Sequence, residues 1–288
     1  MSRPLRLAFQ GVPYAYSWLA ARKYLASSGA EGLLIGHRSF HDAIEALVGS
    51  EADLAFLPIE NTTAGSINQV YDLLLSHRIW IVGEETWKVD HCLAGPAAVP
   101  LDSIRKILSH PQGLEQCSLF LQSLPRAEPV FRFDTAEAMK EAAETRDPAQ
   151  AAIGAPEAAA AYGLVVLKEG IANQEENFTR FVALARQAGQ FGPDVPCKTS
   201  LVLTTRHERG ALLKCLAVLA DNGLSMTKLQ SRPRPGRPWE YMFFVDFEGN
   251  GAEERVARAL EELTAVTVEL RVLGSYPARA TASARPTG

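Results

Sequence analysis

The stretch LAFLPIENTTAGSINQVYDLL, residues 54–74, decides the fold. Leu54–Ile59 is a continuous apolar run of strand length, the pattern of a strand buried on both faces. A polar turn, Glu60–Ser66, follows. Apolar residues return at Ile67, Val70, Tyr71 and Leu74, spaced to line one face of a helix. Strand, short polar turn and helix in that order form one unit of a parallel α/β sheet.

The same unit recurs on either side. Upstream, Leu5–Gly11 is an apolar run that meets a Gly-Val-Pro turn and an amphipathic stretch from Tyr14 to about Ala26. Leu33–Gly36 leads to Ser39, a residue suited to cap a helix, and to helical spacing at Phe40, Ile44, Leu47 and Val48. Downstream, Ile79–Gly95 reads as a long extended connection into a second α/β unit. The strands expected there are Ile104–Leu108, Val130–Phe133, Ala151–Ile153 and Leu164–Leu167, with one helix opened by Pro111 and another capped by Asp134. Asn177–Ala185 is a further strand, rich in β-branched and aromatic residues. Two α/β units joined by two extended crossings predict a bilobal body with a cleft at the hinge. Lobe one is expected over about 1–80 plus 175–186, and lobe two over about 81–174.

Residues 187–197 turn polar and rich in Gly and Pro, as in a linker. Beyond them the expected order is β-α-β-β-α-β: Ser200–Thr205, Gly210–Asn222, Ser225–Arg232, Tyr241–Glu248, Ala252–Thr264 and Val266–Ser275. This is a ferredoxin-like α+β unit over 198–276. Residues 277–288 have the composition of a flexible tail.

Composition narrows the function classes. With 47% apolar and 22% charged residues and a net charge of −4, the chain is of ordinary globular type. It offers no basic surface for nucleic acid or an anionic membrane. Small acidic substrates stay open, because local groups bind them. The N-terminus lacks a basic segment followed by an apolar run, and no apolar run approaches membrane-spanning length. Cys92, Cys117, Cys197 and Cys215 lie far apart with no CxxC pair, so buried free thiols and a cytoplasmic location are expected. No metal-ligand or nucleotide motif is visible, and no cofactor is expected.

Four segments, FQGVPYAYS (Phe9–Ser17), FLPIENTTAGSINQVYDLL (Phe56–Leu74), LSHPQGLEQC (Leu108–Cys117) and NFTRF (Asn177–Phe181), together resemble the prephenate dehydratase family. The C-terminal unit resembles the regulatory ACT domain that such enzymes carry. The resemblance covers nearly everything from Leu5 to about Tyr276. It implies two Rossmann-like lobes of the periplasmic-binding-protein kind over 1–186, followed by the ACT domain. It also implies a lyase of L-phenylalanine biosynthesis that removes carbon dioxide and water from prephenate to give phenylpyruvate. L-Phenylalanine is the implied effector and a homodimer or homotetramer the implied assembly. Because the chain begins directly at the catalytic domain, a monofunctional enzyme without a chorismate mutase segment is expected. Arogenate, which carries an amine where prephenate has a ketone, is the alternative substrate. A bilobal amino-acid sensor without catalysis is the alternative of a different class.

The reaction needs an acid at the leaving hydroxyl and hydrogen-bond donors for the outer carboxylate. The resemblance places the acid at Thr179. Substrate contacts are expected from Asn61, Thr62, Thr63 and Ser66, where small residues would expose amides at a helix N-terminus. Others are expected from Ser109, Gln116, Arg180 and Phe181. Strand alternation sets Arg180 on the face opposite Thr179 and Phe181, so Arg180 can instead pair with an acidic neighbour. His110 reads as a structural histidine. Gly210, Ala211 and Leu212, with Gln230, Ser231, Arg232 and Pro233, match the two segments of the amino-acid effector pocket in related ACT domains. The family pattern usually has Glu where this chain has Gln230. Tyr14 and Trp18 also depart from it, replacing a usual Gly and an acidic residue.

Overall fold

The structure, a computed structural model, describes residues 3–234, 236–237 and 240–279. The chain opens with β1 (Leu5–Gln10), α1 (Tyr16–Ser27), β2 (Gly32–His37), α2 (Phe40–Val48), β3 (Leu54–Asn61), β4 (Gly65–Ser66), α3 (Asn68–Ser76) and β5 (Trp80–Lys88). A second run holds β6 (Cys92–Gly95), β7 (Lys106–Ser109), α4 (Pro111–Gln116), α5 (Ser118–Gln122), β8 (Glu128–Phe131), α6 (Thr135–Thr145), β9 (Gln150–Gly154), α7 (Pro156–Ala161) and β10 (Val165–Lys168). The strand β11 (Phe178–Ala185) then returns to the first sheet, whose order is β2-β1-β3-β11-β5 with β4 paired to β3.

The caps read from sequence are in place. Ser39 Oγ accepts from Asp42 N at 3.0 Å and starts α2. Asp134 Oδ1 accepts from Ala136 N at 2.7 Å and starts α6. Pro111 sits in the first turn of α4, where its missing N–H costs nothing. Gly36 is required sterically, since a Cβ there would stand 2.5 Å from the carbonyl oxygen of Gly11. This close approach lets the ends of β1 and β2 meet.

Three expectations are corrected. The segment after Ile79 is not merely a crossing: Trp80–Lys88 is a full strand of the first sheet, so that sheet extends beyond residue 80. The second sheet, β10-β6-β9-β7-β8, is mixed: β7 runs parallel to β8 and β9, but β6 is antiparallel to both β9 and β10. Helix α1 begins at Tyr16, because Tyr14 takes a left-handed backbone at φ 70°. The helix α7 went unread because PEAAAA has no amphipathic period.

By compactness the chain divides into two units: residues up to Leu73 with Glu85–Phe181, and Leu74–Glu84 with the chain from Val182 onward. The second contains β12 (Cys197–Thr205), α8 (Ala211–Asp221), β13 (Met226–Pro233), β14 (Tyr241–Glu248), α9 (Glu254–Val266) and β15 (Thr267–Pro277). Its sheet order, β13-β14-β12-β15 with every neighbour antiparallel, is the ferredoxin-like arrangement. Leu201, Leu203, Val245 and Phe247 bury one sheet face against Cys215 and Leu219 of α8 and Val256, Ala259 and Leu263 of α9. In the same unit Lys198 Nζ donates to both oxygens of the buried Glu84, at 2.9 and 3.0 Å. Beyond Pro277 the expected tail is described only to Arg279; 280–288 lie outside the described residues. Among the described residues no helix is long and apolar enough to cross a membrane. All four cysteines are free and buried, and burial pushes Cys92 and Cys117 up to about 12.

Candidate functional site

A cavity of about 510 Å3 in the first unit is walled by both lobes. Gln10, Arg38 and Asn61 reach it from the C-terminal ends of β1, β2 and β3, where parallel α/β sheets present ligand groups. The second lobe contributes His91, His110, Gln112, Gln116, Phe133 and Asp134. Thr179 and Phe181 enter from β11 on one face of the strand. Phe181 stacks on Phe56, with centroids 5.4 Å apart and planes within 5°.

Thr179 Oγ1 lies 3.0 Å from Asn61 Nδ2. The same amide donates to Asn177 Oδ1 at 2.8 Å and to Phe178 O at 3.2 Å. Asn61 Oδ1 receives the amides of Thr63 and Ala64 and the hydroxyl of Thr63, at 3.0, 2.8 and 2.7 Å. Backbone amides can only donate, so the Asn61 amide is oriented without ambiguity. Thr179 therefore accepts from Asn61, and its own proton is free for another partner.

Several expected contacts lie elsewhere. The amides near Thr62 and Thr63 do not open a helix: β4 intervenes, α3 starts at Asn68, and Asn61 takes the Thr63 and Ala64 N–H groups. Thr62 Oγ1 donates to Glu176 O and accepts from Phe178 N, stapling the loop to β11 outside the cavity wall. Ser66 pairs with Glu60 across β3 and β4, and neither it nor Thr63 lines the cavity. Ser109 is buried, its hydroxyl given to Ile153 O at 2.8 Å. Arg180 turns to the other strand face, with Nη1 3.6 Å from Glu60 Oε2. Gln116 lines the cavity, and its Oε1 lies 2.9 Å from His91 Nε2.

The electrostatics are sparse. Among the described residues Arg38 is the only arginine or lysine on the wall, and it is exposed. Burial lowers the pKa of His91 and of His110, so both are neutral near pH 7. His110 caps α4, its Nδ1 accepting from Gln112 N. Burial pushes the Asp134 carboxyl up to about 6, against the pull of the Ala136 and Glu137 amides. Sequence reasoning missed Arg38, His91 and Asp134 as cavity residues. Reading outward from the C-terminal ends of all three parallel strands would have found Arg38; only the lobe packing reveals the other two.

Tyr14 and Trp18 do not line the cavity. Their rings pack 4.7 Å apart, and Tyr14 meets Tyr162 edge-on at 5.6 Å. The departure from the usual pattern is thus one of packing. In the second unit a cavity of about 310 Å3 is lined by Thr205, Arg206, Arg234 and Tyr241, among others, and by none of the seven expected effector residues. Gly210 takes φ 76° ahead of α8, and Gln230 Oε1 is a buried acceptor with no hydrogen-bond partner among the described residues.

Fold and cavity define a two-lobed α/β protein with a ligand-sized pocket, largely apolar with a few polar groups, and a ferredoxin-like unit after it in sequence. The prephenate dehydratase family profile matches residues 7–189. The bifunctional chorismate mutase/prephenate dehydratase of Escherichia coli K12 is 42% identical over 282 residues, 98% of this chain and 73% of the relative. An Arabidopsis arogenate dehydratase/prephenate dehydratase is also 42% identical, over 95% of this chain and 69% of the relative. Among solved structures, the prephenate dehydratase of Arthrobacter aurescens in complex with L-Phe aligns with a TM-score of 0.83 at 29% identity, covering 95% of this chain and 90% of that one. A protein described as a novel type of quorum quenching acylase aligns with a TM-score of 0.82 at 33% identity, covering 95% and 98%. The chain belongs to the prephenate dehydratase family.

Proposed function

We infer that this chain is a carbon–oxygen lyase that converts prephenate to phenylpyruvate by loss of carbon dioxide and water. The observation that carries the site assignment is the orientation of Thr179: Asn61 donates to its oxygen and leaves its proton available within the cavity. A hydroxyl so held donates to the departing hydroxyl as that group leaves. Positioned acid catalysis of this kind contributes about 10²–10⁴-fold. Arg38 supplies a carboxylate partner, and Phe181 with Phe133 supplies apolar wall. Arogenate is the second reading, favoured by Asp134: a carboxylate in the same cavity suits the ammonium group that arogenate carries.

Hydrolysis of the kind named for the acylase neighbour finds no support among the described residues. Neither cavity histidine engages a serine or threonine nucleophile: His91 contacts Tyr16 and Gln116, and His110 accepts from Gln112 N.

Residues 1–186 are read as the catalytic domain, 187–197 as the linker and 198–276 as an ACT domain that binds L-phenylalanine and dimerises. The L-Phe-bound neighbour supports this, and the unpartnered Gln230 acceptor suits an ammonium donor. A cytoplasmic homodimer or homotetramer completes the reading.

The test is turnover of prephenate and, in parallel, of arogenate, by wild type and by Thr179→Ala. The expected result is phenylpyruvate from prephenate, reduced at least a hundredfold in a variant that stays folded. Unchanged turnover by Thr179→Ala would remove the assigned acid. Product from arogenate alone would change the substrate and keep the chemistry.

A further inference from the structure

We propose that Thr179 is the end of a one-way hydrogen-bond relay starting at His91, which makes His91 and Thr63 positioning residues for the reaction. The proposal rests on the functional reading above. Its links are His91 Nε2 to Gln116 Oε1 at 2.9 Å, Gln116 Nε2 to Thr63 Oγ1 at 3.0 Å, Thr63 Oγ1 to Asn61 Oδ1 at 2.7 Å, and Asn61 Nδ2 to Thr179 Oγ1 at 3.0 Å.

The direction follows from the backbone. The Thr63 and Ala64 amides identify the atom they meet as Asn61 Oδ1, an acceptor, so Thr63 must donate to it. With its one proton committed, the Thr63 oxygen can only accept, and the Gln116 atom facing it is the amide nitrogen. Gln116 Oε1 therefore faces His91, whose Nε2 must carry the ring proton. Nδ1 is left as the acceptor. It lies 3.0 Å from the Tyr16 oxygen and shares that hydroxyl's single proton with Asp90 O, the nearer acceptor at 2.6 Å, so the tautomer is set from the Gln116 side. Every donor then points from His91 towards Thr179. Aligned bonds in a low-dielectric interior polarise one another in the same sense, and the last proton is directed at the cavity. The relay crosses between lobes once, at the Gln116–Thr63 link, since His91 and Gln116 belong to the second run while Thr63, Asn61 and the β11 residue Thr179 belong to the first sheet and its loop.

Thr63 provides the cleanest test because its side chain does not line the cavity. Thr63→Val and His91→Phe should each lower kcat for prephenate about tenfold, the size expected for losing one hydrogen bond, with KM within about twofold. In the double variant the losses should not multiply, because one chain has been cut twice. His91→Gln keeps an N–H near the position of Nε2 and should recover kcat to within about threefold of wild type. Multiplying losses, or changes confined to KM, would overturn the proposal. 15N NMR of histidine-labelled wild type decides the tautomer without any turnover: a proton on Nε2 is expected, and the Nδ1–H form would refute the relay. If wild type turns over neither prephenate nor arogenate, the functional reading falls, and the NMR result still judges the relay.

Discussion

Thr179 and Arg180 are neighbours with opposite fates, because a strand sends successive side chains to opposite faces. Thr179 meets the cavity with Phe181, and Arg180 meets Glu60. Asp134 carries a second consequence at this scale. Its carboxyl, ordinarily near 3.8, is pushed to about 6, principally by burial. A raised carboxyl pKa means that folding favours the protonated form. The stability advantage is complete below the unfolded value and is lost as pH rises through about 6. At about 1.4 kcal/mol per pH unit, keeping Asp134 ionised costs on the order of 3 kcal/mol at pH 8. Asn caps helices as well as Asp does. Asp134→Asn should therefore be more stable than wild type at pH 8, with the gap closing towards pH 4. Urea unfolding at the two pH values checks this, and a gap that stays constant would disprove it.

At the scale of elements, the entry into α1 sets strain against packing. Tyr14 holds φ 70°, a conformation that costs a side-chain-bearing residue about 1 kcal/mol or more. The strain persists because its ring packs on both Trp18 and Tyr162. Tyr14→Gly would relieve the backbone and remove two ring pairs, each worth about 0.5–1.5 kcal/mol beyond the area they bury. A net loss of roughly 1–2 kcal/mol is expected from thermal unfolding; a higher Tm would show that strain outweighs the rings. Helix caps were legible one by one, since Ser39 and Asp134 act on amides two or three residues away. The mixed order of the second sheet was not, because β6 and β10 have the apolar runs of parallel strands and pair antiparallel.

At the scale of the whole molecule, buried charge is confined to a few places. Lys198 and Glu84 pair across 114 positions of sequence within one compact unit. Removing the lysine takes the countercharge from a buried carboxylate that keeps the Arg279 amide at 3.3 Å, at a cost of up to roughly 3–5 kcal/mol. Lys198→Met should lose about that much in denaturant unfolding, and adding Glu84→Gln should recover most of it. A double variant no better than the single would mean that Lys198 acts through packing. The sequence alone determined the class of architecture, the approximate elements and the segments that make the cavity. Apolar periods of two and 3.6 residues, caps and turn residues are local signals that act over a few positions. Only the tertiary structure decided which side chains face the cavity. Thr62, Thr63, Ser66 and Ser109 are polar residues at strand ends, as Asn61 is, and periodicity cannot separate them. The bonds that do so, from Ser109 to Ile153, Thr62 to Glu176, and Thr63 to Asn61 and Gln116, join segments as much as 114 positions apart. His91, Arg38 and Asp134 meet in one pocket for the same reason: two lobes fold against each other, and no local pattern records which of their surfaces will meet.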